Sequence, residues 1–210
     1  MAPLRTALLC FCLALPPATR VFAAADGTGS SPAVVADDPV RHWEIAYETG
    51  VLWRVTGSAT PLSYTVLPQM LTVKTPLVGT IRSLAGGDLV MRSRFSLLTE
   101  PITAGPEHHY LGAAASGLLE WWNTRRTCAL FLASGGGIGW LDSKGQTVAG
   151  AQGENFNFNW LVYPGVKCTW NKSLSASLGV YFQHISNSGF NKVNPGLNAV
   201  GPMASLGWRF

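Results

Sequence analysis

Apolar and polar residues alternate with a period of two through most of the chain beyond residue 42. In HWEIAYETGVLWRVTG (42–57), Trp43, Ile45, Tyr47, Val51, Trp53 and Val55 occupy one set of alternate positions, with Glu44, Glu48 and Arg54 between them. Successive side chains of a strand point to opposite faces, so this pattern predicts a strand with one apolar and one polar face. Similar runs follow near 61–74, 87–100, 107–121, 126–141, 154–170, 172–186 and 197–210. The clearest is NFNFNWLV, in which Phe156, Phe158, Trp160 and Val162 alternate with Asn155, Asn157 and Asn159. In DLVMRSRFSLLTE (88–100), Arg92, Arg94 and Glu100 fall on one face. Most connections are short. The exceptions are TPLVGTIRSLAGG (75–87) and loops near 142–153 and 187–196.

Eight strands that carry charges of both signs on one face and Trp, Phe, Leu and Val on the other describe a closed wall around a polar lumen. The predicted fold is an all-β, eight-stranded antiparallel transmembrane β-barrel spanning 41–210, an even strand count as bacterial barrels require. A soluble lipocalin-like barrel would need a polar outer face, which these strands do not offer. No apolar run reaches the roughly 18 residues of a membrane helix. The chain ends ASLGWRF, with Leu206, Trp208 and Phe210 alternating to the last residue, an ending that resembles the assembly signal of many outer-membrane barrels. The bacterial outer membrane is the expected location.

The N-terminus fits export. Arg5, the apolar stretch TALLCFCLALPP and the small residues of VFAAAD have the layout of a signal peptide over 1–25. Residues 26–40, rich in Gly, Ser, Pro and Asp, read as a flexible N-terminal tail. Removing the leader takes Arg5 and Arg20 from the 15 basic residues, leaving 13 against 11 acidic ones and a net charge of +2. So small a charge argues against a nucleic-acid partner. Cys10 and Cys12 leave with the leader, and Cys128 and Cys168 remain equidistant from the centre of the fifth hairpin near residue 148. They are placed either to form a cross-strand disulfide or to remain two inert thiols.

The seventh predicted strand aligns Leu174, Ala176, Leu178, Val180, Phe182, His184 and Ser186 on one face. By parity, His184 and Ser186 continue the lipid-facing row. The hairpin that follows centres near 191, which sets Asn198 about opposite His184. Polar groups facing lipid are costly and tend to mark function. A histidine within reach of a serine hydroxyl can take its proton and make it a nucleophile. If the N-terminus lies in the periplasm, this strand ends at the outer leaflet, where ester linkages of lipid A lie within reach. The same stretch also suits an ordinary wet hairpin, because Asn187, Ser188, Gly189, Asn194, Pro195 and Gly196 are turn formers.

HISNSGFNKVNPGLN (184–198) resembles the H-x-S-N motif and downstream Asn of the PagL-like lipid A 3-O-deacylases. The likeness is close over the last two strands and loose over the rest. It implies an eight-stranded outer-membrane barrel with a serine hydrolase site facing the outer leaflet, lipid A of lipopolysaccharide as substrate, and no metal or other cofactor. Carried over, His184 is the general base and Ser186 the nucleophile. Asn187, Gly189 and Asn194 support the turn and the oxyanion. One position departs: the family pattern has a glutamate fourteen residues after the histidine, and this chain has Asn198. An amide can orient an imidazole but cannot offset its charge. The expected function is therefore a serine esterase removing an acyl chain, at the 3-O position by resemblance, from lipid A. The alternative is a non-catalytic barrel with a structural or lipid-binding role. Membrane lipid surrounds either form, and a homodimer is left open.

Other motifs carry less. His108 and His109 point to opposite faces and cannot easily share a metal, so they read as loop histidines. SGGGIG (134–139) lacks the Lys-Ser/Thr of a phosphate-binding loop. Arg125 and Arg126 read as a solvated turn, and Lys192 as a surface lysine beside the candidate site. A solute pore is disfavoured because side chains fill the interior of an eight-stranded barrel.

Overall fold

The computed structural model describes residues 38–57, 60–84 and 86–210. The leader expected over 1–25 and most of the tail expected over 26–40 lie outside them. The last residues assigned to that tail, Asp38 to Val40, are ordered against the barrel. Pro39–Arg41 forms one 3₁₀ turn, the Asp38 side chain accepts from the Val40 N–H, and Val40 is fully buried.

Eleven strand segments make one antiparallel sheet: β1 Glu44–Gly50, β2 Leu52–Arg54, β3 Thr65–Val66, β4 Gln69–Lys74, β5 Gly79–Leu84, β6 Gly87–Ala104, β7 His109–Asn123, β8 Cys128–Leu141, β9 Phe156–Thr169, β10 Leu174–Ser186 and β11 Leu197–Arg209. They form eight barrel strands, because β1 and β2 are one strand and β3, β4 and β5 another. Prolines account for several of the interruptions, since a proline has no N–H to give its neighbour. The first strand lapses at Val51, which faces Pro202 of β11. The second lapses around Pro68, and again around Pro76, where Leu77 turns its N–H to the Val40 carbonyl. Each barrel strand pairs with the next, and β11 closes the ring on β1 in register from Glu44↔Arg209 to Gly50↔Met203.

TPLVGTIRSLAGG departs from the long loop expected of it: Gly79–Leu84 is strand and pairs with β6 from Gly79↔Met91 to Leu84↔Gly87. Pro76 marks a bulge within a strand rather than a break between strands.

The alternation sorts side chains as predicted. Trp43, Tyr47, Trp53, Phe95, Leu130 and Trp208 stand exposed on the outer wall, while Glu44, Glu48, Arg92, Arg94 and Glu120 are buried in the lumen. Such an outer face is stable only against lipid, and burying five charges requires that they be paired. Lys74 lies 3.0 Å from Glu44 and 3.6 Å from Glu48, Lys167 lies 3.4 Å from Glu120, and Arg92 lies 3.5 Å from Glu120. Lys167 also pairs with Glu44, and Arg94 with Glu48. The network fills the half of the lumen towards the chain termini. Tyr64, Met70, Leu98, Tyr110, Leu161 and Tyr181 fill much of the rest.

The two ends of the barrel differ. The end that holds Val40 and Phe210 has short turns. There the Asn171 side chain accepts the N–H groups of Ser173 and Leu174, which closes the β9–β10 turn. Cys128 and Cys168, directly opposed in the β8–β9 register, form a disulfide at this end. Arg126 departs from the solvated turn expected of it: it pairs with Asp88 at 2.8 Å and approaches Asp38 at 3.9 Å. The other end carries the longer loops 142–155 and 187–196, together with the loop residues 55–57 and 60–64.

Candidate active site

The candidate site lies at the loop end, on β10 and β11. Tyr181, Gln183 and Ile185 of β10 are buried, so their neighbours Phe182, His184 and Ser186 face outward, half-buried. His184 pairs directly with Asn198 across the β10–β11 ladder, and with Trp160 on the other side. His184 Nδ1 donates to Asn198 Oδ1 at 2.6 Å. This bond fixes the imidazole with Nε2 left over for a second partner. The ring lies 6.0 Å from that of Trp160, and the register partner of Ser186 is Phe158.

Ser186 occupies the same outer row two residues on. Among the described residues no hydrogen bond joins it to His184. Their Cα atoms stand about 6.6 Å apart, two residues along a strand, and hydrogen bonds of this kind commonly tighten only when substrate arrives.

Two glycines open the space around these groups. A Cβ on Gly196 would lie 3.2 Å from His184 Cε1, and one on Gly57 would lie 3.3 Å from the Asn198 amide nitrogen. Both have positive φ, 67° and 96°, which other residues rarely adopt.

The turn after Ser186 is built around Asn187, which is fully buried. Its N–H donates to Asn194 Oδ1 at 3.0 Å. Its Nδ2 donates to the carbonyls of Val193 at 2.8 Å and Gln152 at 3.0 Å, and its Oδ1 accepts the Gly189 N–H at 3.0 Å. The Asn187 side chain and the Gly189 N–H are thereby engaged in shaping the turn. Asn194 differs: its oxygen is engaged, and among the described residues its Nδ2 has no acceptor, so it remains a donor on the turn that follows Ser186. Lys192 is exposed on the same turn.

Sequence reasoning brought together His184, Ser186, Asn187, Gly189, Asn194 and Asn198, all within one hairpin. It missed Gln152 and Gly57, which reach the site from two other loops. No spacing signals such contacts. The histidine pair is accounted for otherwise: His108 Nδ1 meets Asp142 Oδ2 at 2.8 Å and His109 Nε2 meets Thr99 Oγ1 at 2.8 Å. Among the described residues no group of three or more His, Cys, Asp or Glu side chains could hold a metal ion.

A family model described as Lipid A 3-O-deacylase (PagL) matches residues 80–207. No curated protein matches the chain by sequence. Among solved structures, the crystal structure of the outer membrane enzyme PagL superposes with a TM-score of 0.55 and 18% identity, over 77% of this chain and 97% of that one. That likeness supports the fold. The family model covers more than half of the chain, from within β5 to within β11, and contains every residue of the β10–β11 site. The chain belongs to the lipid A 3-O-deacylase (PagL) family.

Proposed function

We propose that this chain is a serine esterase that removes an ester-linked acyl chain, at the 3-O position, from lipid A. The observation that carries the reading is the His184–Asn198 hydrogen bond beside Ser186, on a lipid-facing row where three polar side chains otherwise have no reason to converge. The protein is an outer-membrane barrel. Its longer loops mark the outward end, as in barrels of this class, so the site would lie at the depth of the outer leaflet. The leader read over 1–25 would direct export.

Ser186 Oγ attacks the ester carbonyl as its proton passes to His184 Nε2. Asn198 Oδ1 holds Nδ1–H, so the ring begins in the tautomer that can accept. The oxyanion of the tetrahedral intermediate takes a hydrogen bond from Asn194 Nδ2. Collapse expels the glucosamine hydroxyl, which receives the proton from His184, and leaves an acyl group on Ser186. Water, deprotonated by His184, then releases the fatty acid and restores the serine. No cofactor enters these steps.

A second reading, a barrel that binds lipid without chemistry, draws on the amide at position 198. A fluorophosphonate probe separates the two readings. The esterase reading expects covalent labelling of Ser186 in the folded barrel, because only an activated hydroxyl reacts. An unlabelled, folded wild type would favour the binding barrel.

A further inference from the structure

Building on the esterase reading, we propose that Glu107 is a positioning residue for the nucleophile, and that it acts through the Gln152–Gly153 segment of the β8–β9 loop. Glu107 lies between β6 and β7, four barrel strands around the ring from β10, and it is fully buried at the loop end. Its carboxylate collects three donors: the Tyr64 hydroxyl at 2.7 Å, the Ser143 hydroxyl at 2.6 Å and the Gln152 N–H at 2.8 Å. Ser143 Oγ accepts the next backbone donor, Gly153 N–H, at 2.9 Å. Burial, with the hydrogen bond to Glu107 and its charge, pushes the Tyr64 hydroxyl above its ordinary range, so it remains a donor.

The carbonyls of the same two residues face the catalytic turn. Gln152 C=O accepts Asn187 Nδ2 at 3.0 Å, and Gly153 C=O accepts Asn191 Nδ2 at 2.9 Å. The segment is therefore a bridge, with its N–H groups on Glu107 and Ser143 and its C=O groups on the turn that begins directly after Ser186. The fit is close. A Cβ on Gly153, where φ is +78°, would lie 2.7 Å from both the Val193 Cβ and the Val193 carbonyl oxygen. A three-donor anchor remote from the reacting atoms is more than a surface loop needs, but suits a turn whose serine and oxyanion donor must be held in one geometry.

The test uses the full barrel reconstituted in lipid, with folding checked by heat-modifiable gel migration. Glu107→Ala, Glu107→Gln and Ser143→Ala are compared with wild type for kcat and KM on lipid A and for the rate of fluorophosphonate labelling. Glutamine keeps an oxygen for Ser143 and Gln152, and its NH₂ can donate to the Tyr64 oxygen. The proposal expects Glu107→Ala to lower kcat and labelling rate by about tenfold or more, as small misplacements do. KM should stay within about threefold, and Glu107→Gln should recover most of both rates. If Glu107→Ala does not fold, Ser143→Ala, which removes only the Gly153 arm, is expected to lower kcat at unchanged KM. A folded Glu107→Ala with wild-type kcat and labelling overturns the proposal. So does a loss confined to KM, or an unfolded Glu107→Ala with Ser143→Ala at full rate. A wild type that neither deacylates lipid A nor labels overturns the esterase reading, and this one with it.

Discussion

Asn198 Oδ1 lies 2.6 Å from His184 Nδ1, across a directly opposed pair of β10 and β11. The amide oxygen faces the ring, so it can hold the tautomer that leaves Nε2 free to accept a proton. In trypsin-like proteases the acid-to-amide change costs about 10⁴-fold because the wrong tautomer is trapped. Here the orientation of the amide avoids that fault, and what is missing is the negative charge that would stabilise the imidazolium.

Asn198→Glu should therefore raise kcat for lipid A deacylation. A unit charge pair at about 4 Å is worth about 1–4 kcal/mol between bulk water and an effective dielectric of about 20, so we expect a gain between about fivefold and about a thousandfold. Asn198→Ala should fall below wild type. Release of fatty acid from lipid A, followed over time, measures both.

Asn194→Ala should lower kcat by about 10²–10³, the usual cost of losing one oxyanion donor, with little effect on KM. Part of that loss comes from freeing the Asn187 N–H, which Asn194 Oδ1 accepts at 3.0 Å. Asn194→Asp keeps that acceptor but replaces the donor with a negative charge that repels the oxyanion, so it should lose at least as much rate as Asn194→Ala; a rate near wild type would instead assign the loss in Asn194→Ala to turn support.

In the lumen, Glu44 lies among Lys74, Lys167 and Arg92, all buried. Glu44→Gln leaves those cations short of a partner and should destabilise the barrel by about 3–5 kcal/mol. Pairing it with Lys167→Met should recover part of the loss. The urea midpoint of the heat-modifiable gel shift in vesicles reports both.

At the loop end, Asp142 responds to pH. Burial raises its pKa, but hydrogen bonds from the His108 N–H and ring and from the His109 N–H outweigh it and lower the pKa below the ordinary 3.8. A depressed carboxyl pKa contributes stability that is complete above the unfolded value and is lost as pH falls through the folded one. Asp142 is exposed, so the contribution is small, less than about 1 kcal/mol. Asp142→Asn should be slightly less stable than wild type at pH 7, and the difference should shrink as pH drops below about 4. Urea midpoints at pH 7, 5 and 3 measure it.

Much of the fold was legible because a wall with lipid outside and charge inside writes a period of two directly into the chain. The row His184–Ser186 and its partner Asn198 followed from parity and the hairpin centre alone. Where the reading failed, a local signal stood for a tertiary one. Pro76 looked like the end of a strand, yet Leu77 finds its acceptor on Val40, more than thirty residues away. Arg126 looked solvated because Asp88 and Asp38 are distant in sequence. Glu107, Gln152 and Asn187 could not be connected from sequence, since loops that meet over a barrel mouth leave no periodicity.

The most direct measurement is mass spectrometry of lipid A from bacteria expressing the wild type or Ser186→Ala, with both barrels shown to fold. The esterase account predicts loss of one 3-O-linked acyl chain with wild type and intact lipid A with Ser186→Ala. Unchanged lipid A with the folded wild type, or equal deacylation by Ser186→Ala, would contradict it.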